Sequence, residues 1–271
     1  MQTQEEMMIL VPQKLREIEE EHGIEVLWAV ESGSRAWGFE SPDSDFDVRF
    51  IYKRKVQDYL KLTPDRDVIE LPIDETWDVT GWDLDKTLKL LAKSNPTLFE
   101  WLQSPIVYRR TDFVEKLVPL LEICMSEERM MHHYLSTAKG QMTKYLSGEL
   151  VKPKKYFYAL RPVLACKWIE QFHTAPPVLF DDLVKVCLPE ELKSSVEKLL
   201  TIKMASSESA EITLLEDIHD YLESSIQEMD AYLKTQTIVY RVDWQALNNF
   251  FLAELGMGEK NEMNGTLFFK I

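Results

Sequence analysis

Cysteine is scarce: Cys124, Cys166 and Cys187 lie far apart and form no CxxC pair. That pattern fits neither a disulfide framework nor a zinc knuckle, so free thiols in a reducing cytoplasm are expected. Long apolar runs are missing too. No stretch approaches the roughly 20 uninterrupted apolar residues of a membrane helix, and no membrane partner is expected. The opening MQTQEEMMIL lacks a basic segment followed by an apolar run, which argues against a secretory signal. Positive charge is in deficit: the formal balance is −15, with a pI near 4.9. Such a chain does not coat nucleic acid by bulk electrostatics. There is no internal repeat and no low-complexity tract.

What is present is an ordinary globular composition. Hydrophobic residues make up 45% of 271, enough for one large domain or two modest ones. One segment runs against the overall charge. Residues 139–167 carry Lys139, Lys144, Lys152, Lys154, Lys155, Arg161 and Lys167 against the single acid Glu149. This is either a solvated helix face or a patch that meets phosphates.

Periodicity divides the chain. Helical spacing over 7–22 ends at Gly23, a plausible C′ glycine. Short β-branched and aromatic runs at 24–30, 45–52, 68–71 and 76–82 read as strands. Asp83 reads as the cap of a helix over 84–93, and Asn95-Pro96 stops that helix and starts the next, over 97–102. Helix then follows helix: 112–124, 127–147, 153–173, 189–203, 209–234 and 243–255. The expected fold class is α+β, a small mixed-sheet core over 1–115 followed by an all-helical domain over 116–271.

The chemistry concentrates in Gly33-Ser34-Arg35-Ala36-Trp37-Gly38 and Ser44-Asp45-Phe46-Asp47-Val48-Arg49. On a strand, side chains alternate, so Asp45 and Asp47 would share one face. Two such carboxylates repel unless cations lie between them, and a pair of divalent ions about 3.5–4 Å apart is a known arrangement for phosphoryl displacement. Gly33 allows close backbone approach, and the turn opens a short helix whose N–H groups favour an anion. Ser34 adds a hydroxyl donor. Phosphate cradle and carboxylate pair thus lie eleven residues apart on consecutive elements. An EF-hand would start at Asp43, but its glycine and glutamate positions hold Val48 and Arg54. A dehalogenase-type phosphatase would want Thr after the second aspartate, where Val48 stands.

Gly33-Ser34, Gly38 and Ser44-Asp45-Phe46-Asp47 together resemble the signature of the DNA polymerase beta superfamily of nucleotidyltransferases. Val48-Arg49, the run Asp78 to Leu84, Asn95 to Leu102, and Lys155 to Pro162 resemble one bacterial branch of it, the RNA repair pathway family found with RNA ligases. The resemblance implies a nucleotidyltransferase core with a helical partner domain. It implies a third carboxylate on a neighbouring strand, for which Asp78 is the best match, ahead of Asp74 and Asp83.

The expected catalytic and metal-binding residues are therefore Asp45, Asp47 and Asp78, holding two Mg²⁺ or Mn²⁺ ions. Expected nucleotide contacts are Gly33, Ser34, Arg49, Lys155, Tyr158 and Arg161, the last three grouped along one helix. Arg49 could equally form a salt bridge to the aspartates, and Glu100 reads as structural. The expected reaction moves a nucleoside monophosphate from a triphosphate to an acceptor hydroxyl. The acceptor is an RNA or DNA end. The alternatives are a small molecule or protein hydroxyl, or a nucleotide-binding module without catalysis.

Overall fold

The computed structural model describes residues 2–41, 43–72, 77–205, 210–236 and 240–258. Helix α1 (Gln4–His22) begins at a capping box: Glu6 N donates to Thr3 Oγ1 and Thr3 N to Glu6 Oε2. It buries Met7, Val11, Leu15 and Ile18, spaced for one helical face, and ends at Gly23 with φ +64°. Strand β1 (Glu25–Glu31) follows and is buried from Val26 onward, because both faces of its sheet are covered. After α2 (Gly33–Trp37) come β2 (Phe46–Lys53), α3 (Val56–Tyr59), β3 (Val68–Glu70) and β4 (Trp77–Asp83). Then follow α4 (Leu84–Leu91), α5 (Pro96–Leu102) and β5 (Val107–Arg110). The five strands order as β3-β4-β2-β1-β5, with only β2 and β4 parallel.

Alternation along β2 decides what faces the site. Phe46, Val48, Phe50 and Tyr52 pack with α1, which turns Asp47 and Arg49 to the other face. On β4, Val79 likewise joins that core, so Asp78 and Thr80 point the other way. Strand β2 starts at Phe46, one residue later than the sequence pattern predicts. Asp45 therefore sits in the entering turn, exposed. Thr76, expected to open β4, lies outside the described residues, as do the rival acid Asp74 and Gly265 of the tail.

The rest is helical: α6 (Phe113–Cys124), α7 (Glu127–Tyr145), α8 (Pro153–Phe172), α9 (Phe180–Cys187), α10 (Glu190–Ala205), α11 (Glu216–Thr235) and α12 (Trp244–Glu254). The helix expected from 209 starts instead at Glu216. Ile212–Thr213 (β7) pairs with Leu150–Val151 (β6) as a two-stranded ribbon, which suits the β-branched residues there. Helix α8 is the axis of this part, buried almost all round. The two parts share core. Leu27, Trp28 and Ile51 of the sheet pack in one cluster with Met130, Leu135 and Cys166 of the helices. Phe39, just after α2, lies in another cluster with Phe157 and Phe180, and Lys203 of α10 donates to its carbonyl. Helix α12 returns to the first part: Phe250 meets Phe113 and Phe251 meets Tyr59. No described helix is long and apolar enough to cross a membrane, and all three cysteines are free.

Gly81, on β4, lies directly beside Phe50 on β2. A Cβ there would come within 2.2 Å of the Phe50 ring, which is fully buried and cannot yield. Gly81→Ala is expected to destabilise the fold by about 1–3 kcal/mol, read as a lower urea midpoint with an unchanged slope.

Candidate active site

The turn between β1 and β2 is anchored to the strand it faces. Ser32 N donates to the Asp47 carbonyl at 2.9 Å. Gly33 has φ +60°, and a Cβ built on it would lie 2.1 Å from Asp47 Oδ2. Glycine is thus required twice, for its left-handed backbone and for the space the carboxylate occupies. Ser34 is buried, and its carbonyl accepts from Phe39 N, which closes the short helix at Gly38. Arg35 crosses to the next turn. Its guanidinium donates to the carbonyls of Ser44 (2.7 Å) and Asp45 (3.1 Å) and lies 3.8 Å from the centre of the Phe46 ring. The turn that carries Asp45 is thereby tied to the turn that carries Gly33.

Asp47 and Asp78 are direct partners in the parallel register of β2 and β4. Arg49 bridges them: one guanidinium nitrogen lies 2.8 Å from Asp47 Oδ1 and 2.7 Å from Asp78 Oδ2. Its other terminal nitrogen donates to the Asp78 carbonyl. Of the two roles open to Arg49 in the sequence, the structure places it in the salt bridge. Burial pushes the Asp47 carboxyl above its usual range; Arg49 pulls it down, while Asp78 and Asp45 push it further up. Asp83 serves elsewhere. It caps α4 through Asp85 N and holds Arg54 and Tyr59.

Behind Asp47 lies a carboxyl that sequence reasoning passed over as part of a turn. Glu31 is fully buried at the end of β1. One oxygen accepts from Asp47 N at 2.7 Å and the other from the Tyr108 hydroxyl of β5, which itself accepts from Gln4. Burial pushes this carboxyl up to about 7, against the lowering effect of those two donors. The signal in the sequence was an acid placed directly after the apolar run Val26 to Val30.

The helical face meets α2 at Trp37. Tyr158 stands edge-on to the Trp37 ring, centroids 5.8 Å apart, and the Arg161 guanidinium lies 4.6 Å from the ring centre. Arg161 is buried and pairs with Glu100 at 2.7 Å. Glu100 also accepts from Tyr134 and from Trp37 Nε1. Lys155 lies 3.7 Å from the centre of the Tyr145 ring and 5.6 Å from that of Tyr158. Of the basic segment, Lys139 pairs with Asp230, Lys167 with Glu228 and Arg161 with Glu100.

Among the described residues, no three His, Cys, Asp or Glu side chains gather into a cage for a metal ion. A Mg²⁺ ion does not require one. It keeps waters and takes one or two carboxylates together with substrate phosphates. The hard oxygens of Asp47 and Asp78, with Asp47 seated in the space Gly33 leaves, fit such an ion.

The family described as "RNA repair pathway DNA polymerase beta family" (RlaP) matches residues 7–253. The chain is 45% identical over 216 residues to "Uncharacterized protein YcgL" of Bacillus subtilis (strain 168), covering 79% of this chain and 83% of that protein. A crystal structure of a nucleotidyltransferase-like protein from Exiguobacterium sibiricum 255-15 covers 82% of this chain and 74% of its own. It is 13% identical, with a TM-score of 0.30.

The raised Glu31 carboxyl makes stability depend on pH. Between its ordinary value of 4.5 and about 7, the folded chain keeps a proton that the unfolded chain has lost, so stability falls as pH rises through that window. At about 1.4 kcal/mol per unit, the full effect is at most about 3 kcal/mol. In urea titrations with EDTA, Glu31→Gln is expected to gain on the wild type by up to that amount between pH 5 and pH 8. A constant difference across the window would show that this site holds no proton.

Proposed function

The chain belongs to the RNA repair pathway DNA polymerase beta family, and from that membership we propose that it is a metal-dependent nucleotidyltransferase. It transfers a nucleoside monophosphate from a nucleoside triphosphate to a hydroxyl at a nucleic-acid end. The observation that carries this proposal is the registered pair Asp47 and Asp78, with Gly33 leaving room for one of its carboxylates.

Asp45, Asp47 and Asp78 are the residues that would hold a divalent cation. Mg²⁺ or Mn²⁺ bound there would lower the pKa of the acceptor hydroxyl and offset charge on the triphosphate. Everything else is positioning. Gly33 and Ser34 receive phosphate oxygens at the start of α2. Arg35 holds the Asp45 turn in reach of them. Arg49 keeps two mutually repelling carboxylates side by side, ready for the ion. Lys155 and Tyr158, on the face of α8 toward Trp37, offer contacts to the triphosphate. Asp78 takes the proton of the attacking hydroxyl, which then bonds to the α-phosphorus as pyrophosphate departs.

The RNA or DNA end draws its support from the family description and from Lys144 and Lys152 of the basic segment. A small-molecule or protein hydroxyl is favoured by one observation. Lys139, Arg161 and Lys167 of that segment pair with acids of the same chain, which weakens it as a phosphate track.

Incubation with each α-³²P triphosphate, Mg²⁺ or Mn²⁺ and a mixed RNA pool is expected to label RNA. Asp45→Ala and Asp47→Ala are each expected to lower the rate at least about a hundredfold. Label on protein or a small molecule instead would move the acceptor to the second class. Absence of any transfer, with nucleotide binding intact in Asp47→Asn, would leave a binding module.

A further inference from the structure

A carboxyl buried behind a strand is destabilising unless its oxygens are hydrogen-bonded, and an apolar side chain would fill the same space without that demand. Glu31 is fully buried all the same. Its place in the ladder shows what it supplies. Glu31 and Val48 form the last rung between β1 and β2. Beyond that rung the chain turns away into Gly33. Ser32 N still reaches the Asp47 carbonyl, but the Asp47 amide donates to the Glu31 side chain, at 2.7 Å. The turn takes a main-chain acceptor away from Asp47, and the carboxyl stands in for it.

Glu31 is itself held firmly. Its amide donates to the Ile106 carbonyl, and its carbonyl accepts from Ser104 Oγ at 2.6 Å. Its second carboxyl oxygen accepts from the Tyr108 hydroxyl, whose oxygen accepts from Gln4 Nε2 at 3.1 Å. A line of hydrogen bonds thus runs from the first turn of α1, through β5 and β1, to the amide of Asp47. Placement is exacting where the line ends. One Asp47 oxygen fills the space a Cβ on Gly33 would take, and the other lies 2.8 Å from Arg49. A backbone shift of about 0.5 Å is enough to spoil either fit.

We propose that Glu31 is a positioning residue for Asp47. By accepting from the Asp47 amide it sets where that carboxylate stands, and so how tightly a divalent cation is held. Tyr108 and Gln4 fix the Glu31 carboxyl in turn. Glu31 acts through Asp47 and is not itself a ligand. The proposal rests on the metal-dependent reading of the site. It adds to that reading a support whose loss weakens the ion without removing any of Asp45, Asp47 and Asp78.

The test measures Mn²⁺ alone on the full chain by electron paramagnetic resonance, with no nucleotide and no turnover. The signal is the component of Mn²⁺ binding that Asp47→Asn removes. Glu31→Leu is expected to weaken that component at least about tenfold, as loss of a residue that orients a ligand does. Glu31→Gln keeps an oxygen for the Asp47 amide and is expected to stay within about threefold of the wild type, at the mild end of such effects. That rescue separates the hydrogen bond from mere filling of space. Tyr108→Phe leaves Glu31 in place but frees its outer oxygen, and is expected to fall between the two. Wild-type affinity in a folded Glu31→Leu overturns the proposal, as does Glu31→Gln binding as weakly as Glu31→Leu. If Glu31→Leu does not unfold cooperatively in urea, Tyr108→Phe decides, and unchanged binding there overturns the proposal. The two readings fail differently. If Asp47→Asn removes no Mn²⁺ binding, the metal site itself falls. If it does and Glu31→Leu does not weaken binding, only the role of Glu31 falls.

Discussion

Two carboxylates that would rather be apart are held side by side by the parallel register of β2 and β4. Asp47 and Asp78 cannot separate without breaking that register. In this structure the guanidinium of Arg49, itself on β2, supplies the positive charge between them. Much of the surrounding architecture answers to that constraint. Gly33 has no side chain because Asp47 is there, and the turn is pinned to the strand by Ser32. Glu31 grips the backbone of Asp47 from within the protein, and Arg35 fixes the turn in front of it. The acids are thus fixed through their backbone, and only their charge is left to be balanced by a cation.

The second dependence is between the two parts of the chain. Helix α2 carries the Gly33 turn at one end and an aromatic plug, Trp37 and Phe39, at the other. That plug is seated among Phe157, Tyr158 and Phe180 and locked by Glu100, Arg161 and Lys203. Any shift of the helical part is therefore felt at the turn, about one helical turn away. A buried pair such as Glu100 and Arg161 adds little net stability but strongly resists losing one partner. Its value lies in fixing the orientation of α2 against α8.

The sequence disclosed where the acids sit better than what supports them. Alternation alone put Asp47 and Asp78 on strands, and the glycine turn was legible because no other residue suits it. Most helix bounds came within a few residues, since amphipathic spacing and proline stops are local signals. What stayed hidden was non-local. Strand β5 reads as polar, with Arg109 and Arg110, and is a strand only because β1 offers it an edge. Helix α9 was missed in a segment punctuated by prolines. Glu31 and Arg35 gave no sign of their tasks, because their partners are Tyr108 and the carbonyls of Ser44 and Asp45. The exposed placement of Asp45 followed from where pairing begins, and residue type does not reveal that. The basic segment looked like a continuous patch because its acids, Asp230 and Glu228, lie far along the chain.

The return of α12 has a consequence for how the molecule is born. Tyr59 and Phe113 emerge early from the ribosome, yet their partners Phe251 and Phe250 are among the late residues made. At roughly 5–20 residues per second, the interval is on the order of ten seconds. During that time the sheet half carries an open apolar seam in the crowded cell. Nascent-chain partners have a window there, and α12 shuts it.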